Sequence, residues 1–214
     1  MNKDKGRFIV IEGLEGAGKS TAINKVKDIL LCKSCEVITT HEPGGTGVGD
    51  KLRSIIKNGV ADEILDARAE LLLLYASRVQ LLENIIKPAL MRGAWVISDR
   101  FELSTFAYQG GGRKIACEVI NEISKVCLQG FTPDLTLFLD VTPELGLQRA
   151  RERSDLDRIE QESLDFFKLV HENYHKNIKN MRNVAIIDAA KSIHEVEKQI
   201  SEVLTKYLDV WSKI

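Results

Sequence analysis

Gly13-Leu14-Glu15-Gly16-Ala17-Gly18-Lys19-Ser20 is the stretch on which the fold of this chain turns. The run meets the pattern G-x-x-x-x-G-K-[ST] at each fixed position. Phe8 to Ile11 before it is a short apolar run rich in β-branched residues, and reads as a buried strand. Lys19 to Leu31 after it carries Ile23, Val26, Ile29 and Leu30 at helical spacing. A glycine-rich turn between a strand and a helix lets successive backbone N–H groups face one concavity. That concavity and the positive end of the helix suit a polyphosphate. In such a loop Lys19 reaches the β- and γ-phosphates, and Ser20 offers its hydroxyl to Mg²⁺. The run Gly13 to Ser20, with Thr21, is therefore expected to bind ATP or GTP.

Outward from the loop, strand and helix alternate. Further strands are expected at Glu36 to Thr40, Ala94 to Ser98, Leu135 to Leu139 and Val184 to Ile187. Pro43, Gly44, Gly45, Gly47 and Gly49 mark a loop, and Gly110-Gly111-Gly112 a flexible break. Helices are expected over Asp62 to Leu90, Ile115 to Leu128, from Thr142-Pro143, and over Glu162 to Met181. The last helix opens on a capping box, Ser192 and Glu195, and its core stripe runs from Ile193 through Val196, Ile200 and Leu204 to Trp211. Short apolar strands between helices imply a parallel sheet covered on both faces. The expectation is one three-layer α/β domain over residues 1–214: five parallel strands, helices on both sides, and a short Arg-rich lid at about 149–160.

Composition narrows the function. The 214 residues are 44% apolar, enough for one compact core. Thirty basic and 31 acidic residues leave a net charge of −1, which argues against coating nucleic acid or an anionic membrane. No apolar run approaches the roughly 20 residues of a membrane span, and the polar Met1 to Gly6 does not resemble a signal peptide, so a cytoplasmic location is expected. Cys32 and Cys35 form a C-x-x-C, but Cys117 and Cys127 are too widely spaced to complete a zinc site; two plain thiols near a helix end is the simpler reading.

Phosphate loops serve motors, GTPases, transporters and small kinases. The length leaves little room for the extra modules of a motor or transporter. A GTPase needs a guanine-reading N-K-x-D segment, and the chain has none. A small-molecule kinase needs an acceptor pocket and a cover. Arg149, Arg151, Arg153 and Arg158, interleaved with acids, are candidates for the cover; their charge suits a transferring phosphoryl group. Asp99-Arg100 ends a strand expected beside the first one. There Asp99 can order a water on Mg²⁺ and Arg100 can grip an acceptor phosphate.

Several further segments now line up in order: Glu42-Pro-Gly-Gly-Thr46, Tyr75-Ala-Ser-Arg-Val-Gln80, Asp99-Arg-Phe101, Ala107-Tyr-Gln-Gly-Gly-Gly-Arg113 and Asp157-Arg-Ile-Glu160. With the phosphate loop, they make the chain resemble the bacterial thymidylate kinases, nucleoside monophosphate kinases. The resemblance implies ATP as donor, Mg²⁺, dTMP as acceptor and a homodimer built on long helices, for which Ala69 to Leu90 is the candidate. It also assigns residues. Glu12 approaches the 3′-hydroxyl of dTMP, and Arg100 holds its phosphate with Arg53 nearby. Arg78 donates to thymine O4, Ser104 and Thr105 face the N3 edge, and Tyr108 crowds the sugar 2′ position. Gln109 and Pro43 complete the acceptor side, while Arg149 and Arg153 join the ATP site, with Lys19, Arg153, Asp99 and Arg100 the catalytic set. Two positions depart from the family pattern: His41 stands where an arginine is common, and Leu74 where an aromatic ring usually stacks on the base. Two alternatives stay open, a kinase for dUMP or a deoxynucleoside, and a nucleotide-dependent regulatory or scaffold protein.

Overall fold

The computed structural model describes residues 6–152 and 157–211. Strands β1 (Phe8–Gly13), β2 (Val37–His41), β3 (Trp95–Asp99), β4 (Leu135–Asp140) and β5 (Val184–Asp188) form one parallel sheet in the order β2-β3-β1-β4-β5. Every residue of β1 is buried. Alternation explains why: Ile9 and Ile11 face one apolar layer, while Phe8 and Val10 face the other. Helices α1 (Lys19–Leu31), α8 (Leu164–Ile178) and α9 (Ile193–Trp211) contribute to the first layer. Helices α3 (Ala67–Leu81), α4 (Lys87–Met91) and α6 (Cys117–Leu128) contribute to the second. Each large apolar side chain so buried stabilises the fold by about 1.5–3 kcal/mol. The strand that carries the phosphate loop is thus the most firmly held.

Because β1 lies between β3 and β4, the chain leaves it toward one half of the sheet and returns to the other. Ligands in open α/β sheets bind at the carboxyl ends beside such a reversal. The register places Gly13 opposite Leu139, and both Ile11 and His41 opposite Asp99. The ends of β1, β2 and β3 therefore share one edge.

Three expectations need correction. The glycine-marked loop after β2 hides a helix, α2 (Gly47–Asn58). Thr46 caps it, its side chain accepting from Gly49 N at 3.0 Å, with Asp50 in the first turn and Lys57 in the last. The helix expected over Asp62 to Leu90 starts later, at Ala67 behind the cap Asp66, and widens into a π turn at Leu82–Ile86. Pro88 follows directly; it lacks an N–H and crowds the preceding turn, which a wider turn relieves. Gly110 to Gly112 are no flexible break, but the end of a second π segment, Phe106–Gly112, continuing the short α5 (Glu102–Thr105). A Cβ on Gly112 would meet the Phe166 ring at 2.3 Å, so glycine there permits close packing on α8.

Other expectations hold with small shifts. Thr142 caps α7 (Pro143–Arg151), with Pro143 in its first turn. The capping box forms, Ser192 Oγ donating to Glu195 at 2.7 Å. Ile193 departs from the expected stripe of α9 and is 68% exposed, whereas Trp211 meets Trp95 edge-on at 5.4 Å. Cys32 is the C-cap of α1 and Cys35 follows three residues later, the two being thiols rather than a disulfide.

Candidate active site

The phosphate loop curls from the end of β1 to the first turn of α1. Gly16 has φ +71°, and a Cβ there would stand 2.0 Å from the Gly146 carbonyl oxygen. Only glycine allows both the left-handed backbone and that approach. Lys19 Nζ turns back on the loop and donates to Leu14 O at 2.9 Å and Gly13 O at 3.3 Å. Burial, and then the charge of Arg100, push the Lys19 ammonium down to about 8. A polyphosphate in the loop would reverse that push.

In front of the loop lies a cavity of about 500 Å³. Glu15, Gly16, Gly18, Lys19, Ser20 and Thr21 form one wall. Pro43, Arg53, Leu74, Arg78, Asp99, Arg100, Ser104, Thr105, Tyr108, Gln109 and Arg149 also line it, as does His41. Gly13, Leu14 and Ala17 are buried beneath the loop and do not line it. Arg153 lies outside the described residues.

Glu12 is the expected site residue that stands one layer behind. It is fully buried and accepts from Phe101 N at 2.9 Å, Ser104 Oγ at 2.6 Å and Tyr174 OH at 3.0 Å. Burial is the main cause that raises its pKa, against the opposing charge of Arg100. In this arrangement Glu12 braces the residues that face the cavity rather than facing it.

Arg100 sits on strained backbone, φ +69°, pinned by its N–H to Ile11 O at 2.9 Å and by the Ser98 hydroxyl to its carbonyl at 2.7 Å. Its guanidinium donates to Glu15 at 2.6 Å, to Ser104 Oγ at 3.0 Å, and to the Tyr174 and Tyr108 hydroxyls at 3.1 Å. A carboxylate thus occupies one fork of a group suited to a phosphate. Tyr174 was not among the expected site residues. It arrives on α8, far along the chain, and no local pattern marks it.

Leu74, Arg78, Phe101 and Thr105 line a further slot of the cavity. Arg78, 2% exposed, donates from Nε to Glu42 at 2.6 Å and from Nη2 to Thr105 Oγ1 at 2.9 Å and Phe101 O at 3.2 Å. The Tyr75 and Phe101 rings flank the cation at 4.8 and 5.4 Å. Arg78 Nη1 and Glu42 Oε1 are buried without a partner among the described residues. An unsatisfied buried donor costs about 1–3 kcal/mol, a cost that an added acceptor atom at this point would relieve. Burial raises the Glu42 carboxyl, and the Arg78 charge opposes that rise. Tyr75 turns from the slot and donates to Glu102 at 2.9 Å, so Leu74 has no aromatic stand-in on its own helix. Phe101 supplies a ring on the cavity wall instead.

Asp99 Oδ1 is likewise buried without a partner among the described residues, and Asp99 and Ser20 line the same cavity. An orphaned carboxylate oxygen and a hydroxyl on one cavity fit a hard, oxygen-seeking cation such as Mg²⁺.

The lid arginines divide. Arg149 lines the cavity, with Nη1 donating to Ala189 O at 2.8 Å. Arg158 does not cover the phosphate loop. It donates to Ile56 O at 2.9 Å and pairs with Glu70, while Asp157 binds Lys57 at 2.7 Å. Glu70, 1% exposed, also accepts from Gln109 at 2.8 Å and pairs with Arg113. Burial works to raise the Glu70 carboxyl, but the hydrogen bonds from Arg158 and Gln109 outweigh it and hold it below the usual range. The stretch 157–160 is thereby latched onto α2 and α3, and places Asp157, Ile159 and Glu160 on the cavity wall.

The thymidylate kinase family model matches residues 11–200. The thymidylate kinases of Legionella pneumophila strains Paris and Corby are each 56% identical to it over 209 residues, covering 98% of this chain and 99% of theirs. This chain belongs to the thymidylate kinase family.

Proposed function

We propose that this chain transfers the γ-phosphoryl group of ATP to dTMP, giving ADP and dTDP. The observation that carries the reading is the unpartnered Arg78 Nη1 in a slot walled by Leu74, Phe101 and Thr105, beside the phosphate loop. A planar base offering a carbonyl oxygen, as thymine O4 does, satisfies that donor. Ser104 and Thr105 lie toward the N3 edge, and Tyr108 walls the sugar and disfavours a 2′-hydroxyl. Arg100 exchanges Glu15 for the dTMP phosphate, with Arg53 and Gln109 flanking it. Glu12 supports this face through Ser104 and Tyr174.

The nucleophile is a phosphate oxygen of dTMP. A phosphate monoester has its second pKa near about 6, so it is dianionic at neutral pH and needs no general base. The new P–O bond forms as the bond to the β-phosphate oxygen breaks, and ADP leaves with that electron pair. Lys19, Arg100, Arg149 and the lid residue Arg153 balance charge on the moving group. Ser20 and Asp99 would hold Mg²⁺, directly or through water, and the ion neutralises β- and γ-phosphate charge when bound. The exposed apolar Leu72 and Val48, on the neighbouring helices α3 and α2, support a homodimer through that face. A cytoplasmic location belongs to the same proposal, since ATP is the donor.

The test is ADP release with ATP, Mg²⁺ and a panel of monophosphates. dTMP should be the best acceptor, with dUMP about 10–200-fold poorer, because a methyl group is worth about 1–3 kcal/mol in an apolar pocket. ATP binding without acceptor-dependent turnover would mean a scaffold role instead.

A further inference from the structure

Asp140, His171 and His175 form a cluster that phosphoryl transfer does not use. Asp140 is the last residue of β4, and the two histidines lie one turn apart on α8. His171 Nε2 is 2.7 Å from Asp140 Oδ1, His175 Nε2 is 3.2 Å from the same oxygen, and the two Nε2 atoms are 3.2 Å apart. The three residues are half-buried, leaving an open side. The edge of the Phe138 ring meets the His175 ring at 5.5 Å and fixes its plane.

Two Nε2–H groups can donate to this carboxylate, His171 to Oδ1 at 2.7 Å and His175 to Oδ2 at 3.2 Å. With those protons displaced, one carboxylate oxygen and two imidazole nitrogens converge on a single point, as the ligands of one cation do. The edges of a tetrahedron with metal–nitrogen bonds of about 2.0–2.1 Å are about 3.3 Å. Two of the three observed edges are within 0.1 Å of that, and the third, 2.7 Å between His171 Nε2 and Asp140 Oδ1, must open by about 0.6 Å, as expected when a hydrogen bond gives way to two metal bonds.

We propose that Asp140, His171 and His175 bind one divalent transition metal ion of the zinc type, with water in the fourth position. Two imidazoles at i and i+4 with one carboxylate suit zinc, cobalt or nickel and do not suit Mg²⁺ or Ca²⁺, which take oxygen ligands. The site is thus chemically separate from the Mg²⁺ expected at Ser20 and Asp99. The ion would tie the end of β4 to α8. Tyr174 lies between the two histidines on that helix, and its hydroxyl reaches Ser104 Oγ at 2.8 Å. Metal binding would therefore brace α8 where it enters the active site.

The test is zinc titration of the tag-free full-length protein against a chromophoric chelator, in excess Mg²⁺. A Cys32→Ser/Cys35→Ser background removes the only close thiol pair. One zinc per chain is expected, and Co²⁺ should give the intense visible bands of a four-coordinate centre. His171→Gln/His175→Gln should weaken binding by more than the about 10–100-fold that loss of an outer-sphere partner causes. Less than one zinc per chain in the Cys32→Ser/Cys35→Ser protein overturns the proposal, whatever the histidine variant does. So does equal affinity in the histidine variant.

Discussion

The two halves of the cavity are built by different means. The phosphate half is local: eight consecutive residues curl between a strand and a helix, and Glu15, Gly16, Gly18, Lys19 and Ser20 of that run line the cavity. The acceptor half is side chain: Arg78 on α3 meets Glu42 after β2, Thr105 on α5 and the Phe101 carbonyl, partners 23 to 36 residues away. A backbone cradle survives changes of side chain with its shape intact. A side-chain slot is also part of the core, so its recognition and its stability are one set of contacts.

That contrast sets the order of predictions. Arg78→Ala should have the largest effect, because it strands Glu42 in the interior; breaking one partner of a buried pair costs about 3–5 kcal/mol. Urea denaturation should show the loss, together with the loss of measurable dTMP binding. A variant as stable as wild type would show that the acceptor half does not double as a structural ion-pair frame.

Lys19→Ala should do the opposite, lowering kcat by about 10²–10³-fold with the urea midpoint unchanged. Near-wild-type turnover would break the comparison from the phosphate side. The same lysine has a signature in pH. Its pKa of about 8 means that roughly half the ammonium groups are neutral at pH 8, and ATP binding should recharge them. Protons are then taken up, about half a proton per ATP at pH 8 and less at pH 7, and ATP affinity falls as pH rises above 8. Calorimetry in two buffers of different ionisation enthalpy measures this, and Lys19→Ala should lose the uptake. Release of protons, or the same uptake in the variant, would contradict the assignment.

The smallest effect is expected at Leu74, where the slot offers packing rather than charge. Leu74→Phe should tighten dTMP binding by about 1 kcal/mol through an added aromatic face, with ATP affinity unchanged. Equal or weaker dTMP binding by calorimetry would mean that the slot has repacked around leucine.

Features that depend on near neighbours are legible along the chain. The phosphate loop, the five strands, the Thr142 and Ser192 caps and the parallel sheet all rest on residues within a few positions of each other, where period, turn chemistry and capping are legible. Family segments also marked Arg78, Arg100, Tyr108 and Gln109 before any partner of theirs was known. Helix α2 escaped because its first turn holds two glycines, although Thr46 as cap and the Leu52, Ile55 and Ile56 spacing carried its signal. Tertiary structure alone decided that Glu12 braces from behind through Tyr174, 162 residues away, and that Arg158 latches to Glu70, 88 residues away, instead of covering the phosphate loop. The reason is physical. A buried charge is stable only beside its counter-charge, and which counter-charge it meets is settled by how helices cross the sheet, not by spacing along the chain.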